Sequence, residues 1–311
     1  MSRLKLLIDT DPGVDDALAI LMAFAHADVV ALTVAAGNVG LQHTVRNARK
    51  LVELAGVDVP VYPGCPVPLV KQPAESAAQV HGADGFGDVG YAEPAVAASD
   101  ESAALAIIRL TRQHPGELTL VALGPLTNLA LALRLDPELP QRVARLVIMG
   151  GAVNGHGNTL SVPAEFNIGF DPEAAHVVFT GFPKFDLVDW ELTLRHAFDD
   201  AEFDGWLARG DARAAFFKAI VAKSRVWNAA HERQGLIAAD AMAMAVALAP
   251  EAITQAAERH AGVELEGRLT RGATVVDWES RLGKPVNANI VLDFAQPRFA
   301  ELVRHALGAA G

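Results

Sequence analysis

The chain has 311 residues, 51% hydrophobic and 20% charged, which is enough for one large α/β domain or two smaller ones with a packed core. Its net charge of −11, with no stripe of Lys and Arg, excludes a nucleic-acid polymer as partner and otherwise fits ordinary solubility. The single cysteine, Cys65, excludes an internal disulfide and fits a reducing compartment. The N-terminal run to Ile8 has no secretory h-region, and the alanine-rich stretch Ala238–Pro250 falls short of the roughly 20 residues that span a bilayer. A soluble, cytoplasmic protein without membrane contact is expected.

In chain order, Leu4–Ile8 reads as a buried strand, followed by an acidic turn and a helix over about Asp15–His26. Val29–Ala36 is the next strand, ending in Gly37-Asn38, and a helix covers about Gln42–Ala55. Glu117–Leu123 is a strand, Gly124-Pro125 opens a helix over Leu126–Leu135, and Val143–Met149 is a strand ending in Gly150-Gly151. Asp171-Pro172-Glu173 supplies an N-cap, a proline at the first helical position and an acidic first turn, and the strand Lys184–Val188 follows that helix. The later part is more helical, with helices near Asp199–Arg209, Ala212–Ala230 and Asp240–Ala249 and strands at Gly272–Trp278 and Asn287–Phe294. The alternation predicts an α/β fold with an open, mainly parallel, Rossmann-like sheet flanked by helices. No linker or repeat divides it, so residues 1–311 read as a single domain, with long Gly/Pro-rich insertions at Cys65–Ser99 and Gly150–Phe170.

Four carboxylates, Asp9, Asp11, Asp15 and Asp16, fall within eight residues between the first strand and the first helix. Ligands in open α/β sheets sit at that edge. The helix dipole favours Asp15 and Asp16 by only about 0.3–1 kcal/mol each, too little to keep crowded carboxylates ionised. A divalent cation resolves the repulsion. No His or Cys lies in the loop, so all-oxygen coordination by calcium or magnesium is expected rather than zinc. An EF-hand is excluded, because the twelfth position from Asp9 is Ile20.

The run Asp9-Thr10-Asp11-Pro12-Gly13-Val14-Asp15-Asp16-Ala17-Leu18-Ala19-Ile20 resembles the N-terminal signature of the inosine–uridine nucleoside hydrolases. The resemblance recurs, in the family's order, at Gly37-Asn38, Gly124-Pro125-Leu126-Thr127-Asn128, Met149-Gly150-Gly151, Ala164-Glu165-Phe166-Asn167 and Asp171-Pro172-Glu173-Ala174-Ala175. It therefore covers nearly the whole chain. It implies hydrolysis of the N-glycosidic bond of a small-molecule ribonucleoside, by an enzyme that is a homodimer or homotetramer. It also implies a calcium ion held by Asp11, Asp16, Asp240 and the backbone carbonyl of Leu123. Asp11 would be the general base toward the attacking, calcium-bound water, and Asp9 a supporting residue. Asp15, Asn38, Met149, Asn158, Glu165 and Asn167 match positions that bind ribose or shape its pocket, although the loop Ala152–Ala164 is longer than the family pattern.

The leaving-group half departs from the pattern. The best-known members carry a His before the late aspartate, and purine-specific relatives a Trp, whereas here the residue is Ala239. His81, in a Gly-rich loop, and the segment His231-Glu232-Arg233, after a long helix where the family places base-contacting side chains, are the candidates to assist base departure, His231 foremost in the segment. His156 and His176 read as loop and packing residues, and Trp227 as core or as a base-stacking ring. Two other readings compete. One is a ribose- or nucleoside-binding homologue without turnover. The other is a magnesium-dependent phosphatase of the haloacid dehalogenase type, which Asp9-Thr10-Asp11 superficially fits without a later Lys or paired acids.

Overall fold

A computed structural model describes residues 3–71 and 76–309. The elements are β1 (Lys5–Thr10), α1 (Val14–His26), β2 (Asp28–Val34), α2 (Leu41–Ala55), β3 (Val61–Pro63), the short α3 (Ala78–His81), α4 (Ala103–Gln113) and β4 (Leu118–Ala122). Then come α5 (Thr127–Leu135), β5 (Val143–Met149), α6 (Phe166–Phe170), α7 (Pro172–Gly181), β6 (Phe185–Val188), α8 (Trp190–Arg195), α9 (Asp200–Arg209) and α10 (Ala212–Ala230). The chain ends with α11 (Ala239–Leu248), β7 (Ile253–Val263), β8 (Thr274–Asp277), β9 (Ala288–Phe294) and α12 (Gln296–Ala306).

The strands form one sheet in the order β3-β2-β1-β4-β5-β6-β9-β7-β8. Pairing is parallel from β3 to β9, and β7 and β8 add an antiparallel end. The expected open, mainly parallel sheet is therefore present. β1 pairs with β2 on one side and β4 on the other, so the winding reverses between β1 and β4. The crevice beyond their carboxyl ends is where such sheets bind ligands.

Alternate residues of β1 feed opposite faces, as a strand's period of two requires. Leu6 and Ile8 pack with α1, α10, α11 and α12. Leu7 packs with α4, α5 and α7. The alanine-rich stretch forms α11, buried along nearly its whole length, and its small side chains let it lie against α1. An apolar helix of this length is a core element, and among the described residues no helix is long and apolar enough to cross a membrane.

Most expected elements fall within a residue or two of their observed ends. Seven were not anticipated: β3, α3, α4, α6, β7, α8 and α12. β7 has the segment Gln255-Ala256-Ala257-Glu258-Arg259-His260, rich in helix formers and without alternation, and pairing with β9 overrides that local preference. The two long insertions carry only α3 and α6, and Gln72–Glu75 of the first lie outside the described residues.

Candidate active site

The acidic loop leaves β1 at the point where the winding reverses. Asp9 is buried beneath it, accepting from Thr33 Oγ1 at 2.7 Å and Asn128 Nδ2 at 2.9 Å, which ties β1 to β2 and α5. Burial pushes its carboxyl up to about 6. Asp11 accepts the backbone N–H of Asn38 at 2.6 Å, and Asn38 Nδ2 donates to the Asp11 carbonyl oxygen at 3.1 Å. Gly37 and Gly124 wall in the Asp11 carboxylate: a Cβ on either would come within 2.7 or 2.8 Å of Asp11 Cγ. Both glycines are there for room, because neither has a positive φ.

Asp16 closes the start of α1. Its Oδ2 accepts from the Gly13 N–H (2.9 Å) and Asn38 Nδ2 (3.1 Å), and its Oδ1 from Thr10 Oγ1 (2.5 Å). Asp15 and Asp240 bring their carboxylates close to that of Asp16. Asp240 lies inside the first turn of α11, not at its N-cap, which is Ala238. Carboxylates this close repel unless one takes a proton or a cation lies between them. Burial, and after it the charges of neighbouring aspartates, drives Asp11 and Asp240 well above the ordinary carboxylate range.

Asp15, Asp16 and Asp240 each offer an oxygen within 4.8 Å of the others, the one such acid cluster found among the described residues. A hard divalent cation fits this donor set: the oxygens are already gathered, buried and uncompensated by Lys or Arg. The cluster includes Asp15, whereas the family resemblance implied Asp11, which adjoins it and feels the Asp16 charge. The Leu123 carbonyl, just past β4, accepts from Asn167 Nδ2 at 2.7 Å, and the same Nδ2 reaches the Met149 carbonyl at 3.3 Å.

A cleft with about 1050 Å³ of empty space, its open mouth included, lies over these groups. On the sheet side Asp15, Asn38, Leu123, Met149, Glu165 and Asn167 line it. On the helix side it is bounded by α10 and the α10–α11 connection, through Phe217, Trp227, Arg233, Ile237 and Ala239, with Trp190 from α8. A concave site with polar groups on one wall and aromatic rings on the other suits a small molecule with a sugar and a flat ring.

The family profile described as inosine-uridine preferring nucleoside hydrolase matches residues 6–301. The chain belongs to this family. It is 37% identical to the non-specific ribonucleoside hydrolase RihC of Escherichia coli (strain SMS-3-5 / SECEC) over 310 residues, covering 99% of each chain. Among solved structures it superposes on an inosine-guanosine nucleoside hydrolase with a TM-score of 0.92 at 33% identity, covering 99% of this chain and 100% of that one. A purine-preferring ribonucleoside hydrolase from Gardnerella vaginalis gives a TM-score of 0.88 at 30% identity, with 98% of each chain covered. The protein is thus an enzyme that hydrolyses nucleosides, and the phosphatase reading of Asp9-Thr10-Asp11 is set aside.

This nucleoside hydrolase gathers most of the expected sugar-side residues at one place. Glu165 accepts three backbone N–H groups, from Asn167 (2.9 Å), Ile168 (3.2 Å) and Gly151 (2.9 Å), so it caps α6 and shapes the wall. Burial pushes it up to about 7. Asn158 lines the cleft with its Oδ1 engaged by the Phe166 N–H at 2.8 Å.

The two histidine candidates separate. His81, in α3, lines the cleft; its Nδ1 accepts the Val14 N–H of α1 at 3.1 Å and lies 3.9 Å from Asp15 Oδ1. Burial pushes its imidazole down to about 4, against the pull of Asp16. With Nδ1 held as acceptor, the neutral ring carries its proton on Nε2. His231 is exposed and is not among the residues lining the cleft. Its ring stacks on Trp227, with centroids 4.0 Å apart, and its Nδ1 lies 2.8 Å from the Trp227 carbonyl. The solvent-exposed end of α10 explains that placement. Trp190, Asn228 and Phe217 were missed as lining residues; Trp190 follows directly on β6, and that position at a strand's carboxyl end was the available signal.

Proposed function

We propose that this enzyme cleaves the N-glycosidic bond of ribonucleosides to free base and ribose with Asp11 as general base and a calcium ion held at the carboxylate cluster. The observation that carries the reading is the gathering of oxygens from half-buried Asp15 and buried Asp16 and Asp240 under one cleft, with buried Asp11 beside them. Calcium is favoured because the donors are all oxygen and number more than magnesium, with its retained waters, takes from a protein. Asp16 and Asp240, whose oxygens gather with that of Asp15, would hold it together with Asp11 and the Leu123 carbonyl that the family resemblance implies. When bound, the cation supplies the positive charge that keeps these carboxylates ionised and polarises water and the ribose diol.

The protein's own groups do the rest. The Asn38 N–H orients the Asp11 carboxylate, and Gly37 and Gly124 leave it one way to face, toward the attacking water whose proton it takes. Asp15, Asn38, Asn167 and Asn158 are placed to bind ribose hydroxyls, and Glu165 holds their wall rigid. As the bond to the base lengthens, positive charge grows on the sugar, and the fixed carboxylates stabilise it. His81 can donate to substrate only through Nε2. The lone thiol Cys65 fits a cytoplasmic setting, and a homodimer or homotetramer is the expected assembly, which light scattering would establish.

The test is release of free ribose from a panel of purine and pyrimidine ribonucleosides, with EDTA and with calcium restored. Ribose release that EDTA abolishes and calcium restores is expected, and Asp11→Asn should lower kcat at least about 10³-fold while nucleoside binding survives. No ribose from any nucleoside would overturn the reading.

A further inference from the structure

The α10 side of the cleft contains an arginine with no acid to pair with among the described residues. The Arg233 guanidinium lies 5.2 Å from the ring centroid of Trp190 and 4.8 Å from that of Trp227. It is half-buried, and it is the one Lys or Arg among the residues lining the cleft. Among the described residues no carboxylate lies within ion-pair distance and no acceptor takes a hydrogen bond from its side chain. Burial lowers its pKa, yet a guanidinium stays charged at any physiological pH. The two indole rings offer it cation–π contact, and among the described residues no acceptor takes its N–H donors. Holding a cation half out of water without a counter-ion is costly unless a ligand supplies the missing charge.

The two walls of the cleft are therefore opposite in charge: carboxylates from the sheet side, one guanidinium from the helix side, and apolar surface including Ala239 between. Heterolysis of an N-glycosidic bond develops the matching pattern, positive on the sugar and negative on the base. Among the described residues no other cleft side chain brings a permanent positive charge to meet that base. His81 is held neutral by the Val14 N–H, His231 does not line the cleft, and Ala239 has no proton to give.

We propose that Arg233 receives the departing base as an anion and so selects bases that carry an oxo group at purine C6 or pyrimidine C4. This rests on the ribonucleoside reading above. The C1′–N bond breaks with its electron pair kept by the base nitrogen, and the water oxygen bonds to C1′ while its proton passes to Asp11. The base anion, paired with the guanidinium edge, then takes a proton from solvent, and Asp11 returns its own, so the sum is nucleoside plus water to ribose plus base. A 6-oxopurine or uracil delocalises the charge onto an oxygen that accepts the N–H donors. Adenine and cytosine place an amino group there, donor against donor. Inosine, guanosine and uridine are the favoured substrates.

The experiment compares wild type with Arg233→Met and Arg233→Lys on inosine, uridine, adenosine and p-nitrophenyl riboside, whose leaving group departs as a stable anion unaided. Loss of one such stabilising donor elsewhere costs about 10²–10³ in rate. Arg233→Met should lower kcat/KM on inosine and uridine by about that factor and on p-nitrophenyl riboside less than about tenfold, and should bring the inosine-to-adenosine ratio toward one. Arg233→Lys should recover part of the loss. Equal loss on all four substrates would make Arg233 a packing staple between the indoles and overturn the proposal, as would a loss under about threefold on inosine. If Arg233→Met fails to fold, the wild-type enzyme decides. Inhibition by free xanthine should tighten as pH rises through that base's own ionisation, and weakening would overturn the proposal. Absence of any wild-type turnover on nucleosides would instead overturn the parent reading.

Discussion

Replacing Gly37 with alanine should disable the site without altering any functional side chain. The new Cβ would lie 2.7 Å from Asp11 Cγ, closer still to its Oδ2, and 2.8 Å from Pro125 Cδ, where real Cβ contacts under 3.0 Å essentially never occur. Pro125 cannot yield easily, so the Asp11 carboxylate must retreat, by an amount on the order of 1 Å, and its 2.6 Å hydrogen bond from the Asn38 N–H goes with it. A displacement of about that size at a reacting group costs roughly 10²-fold, or about 2.7 kcal/mol of transition-state stabilisation. Steady-state kcat/KM on inosine and on p-nitrophenyl riboside should fall alike, because the attacking water is common to both. Gly124→Ala, which presses on the same carboxylate from the β4 side, should behave in the same way. Gly40→Ala is the control, since a Cβ there meets nothing within 4 Å. If Gly37→Ala kept activity within about threefold of wild type, or Gly40→Ala lost as much, the Asp11 carboxylate would not be the group that the glycines wall in.

With the cation stripped, the raised carboxyls govern stability near neutrality. Folded pKa values of about 6 for Asp9 and Asp15 and about 7 for Glu165 lie above the unfolded ones, so the penalty is fully present above pH 7 and relieved as the pH falls. The Tm in EDTA should therefore rise from pH 8 to about 6.5, below which His81, held near 4, begins to oppose it; a Tm falling over that window would contradict the assignment. Calcium at a hundredfold over its Kd should add about 2.7 kcal/mol, on the order of 4 °C for a chain of this length, with its largest effect at the alkaline end. Arg145→Met removes a guanidinium that holds Asp186 at 2.6 Å and the Val246 carbonyl of α11 at 3.1 Å. It should cost about 2–3 kcal/mol in urea unfolding, the pair being only partly buried, yet leave kcat within about twofold, because β5 starts at the end of the sheet away from the cleft. His231→Ala should leave kcat/KM on inosine within about twofold, whereas His81→Ala, which frees the Val14 N–H, should lower it about tenfold or more; the reverse order would return His231 to the site.

What the sequence revealed and what it hid divide along a physical line. The acidic loop was legible because its chemistry is local: four carboxylates in eight residues cannot stay ionised together, whatever the rest of the chain does. The strands at the sheet's centre were legible for a similar reason, since burial on both faces leaves continuous apolar runs such as Leu6-Leu7-Ile8. β7 was hidden because its strand character comes from β9, far along the chain, and not from its own residues. The helix-side wall of the cleft was legible only in part: Trp227 and the His231–Arg233 segment were candidates, but their convergence with Trp190 was hidden. Trp190 comes from the start of α8, Trp227 from α10 and Arg233 from the connection to α11, and no spacing in the sequence announces that three such segments converge. Within that connection the decisive feature is one dihedral. Glu232 has a φ of 55°, a left-handed conformation few residues other than glycine adopt, and it separates an exposed His231 from an Arg233 turned into the cleft. Residue types alone favour the histidine as the group that assists leaving, because imidazole is the usual proton donor near neutral pH. The backbone reverses that choice. A turn that costs about 1–3 kcal/mol in strain persists where the surroundings over-determine it, and here it lies beside the one cleft-lining Lys or Arg among the described residues, where the strain has a use: it turns the guanidinium toward the Trp190 and Trp227 rings.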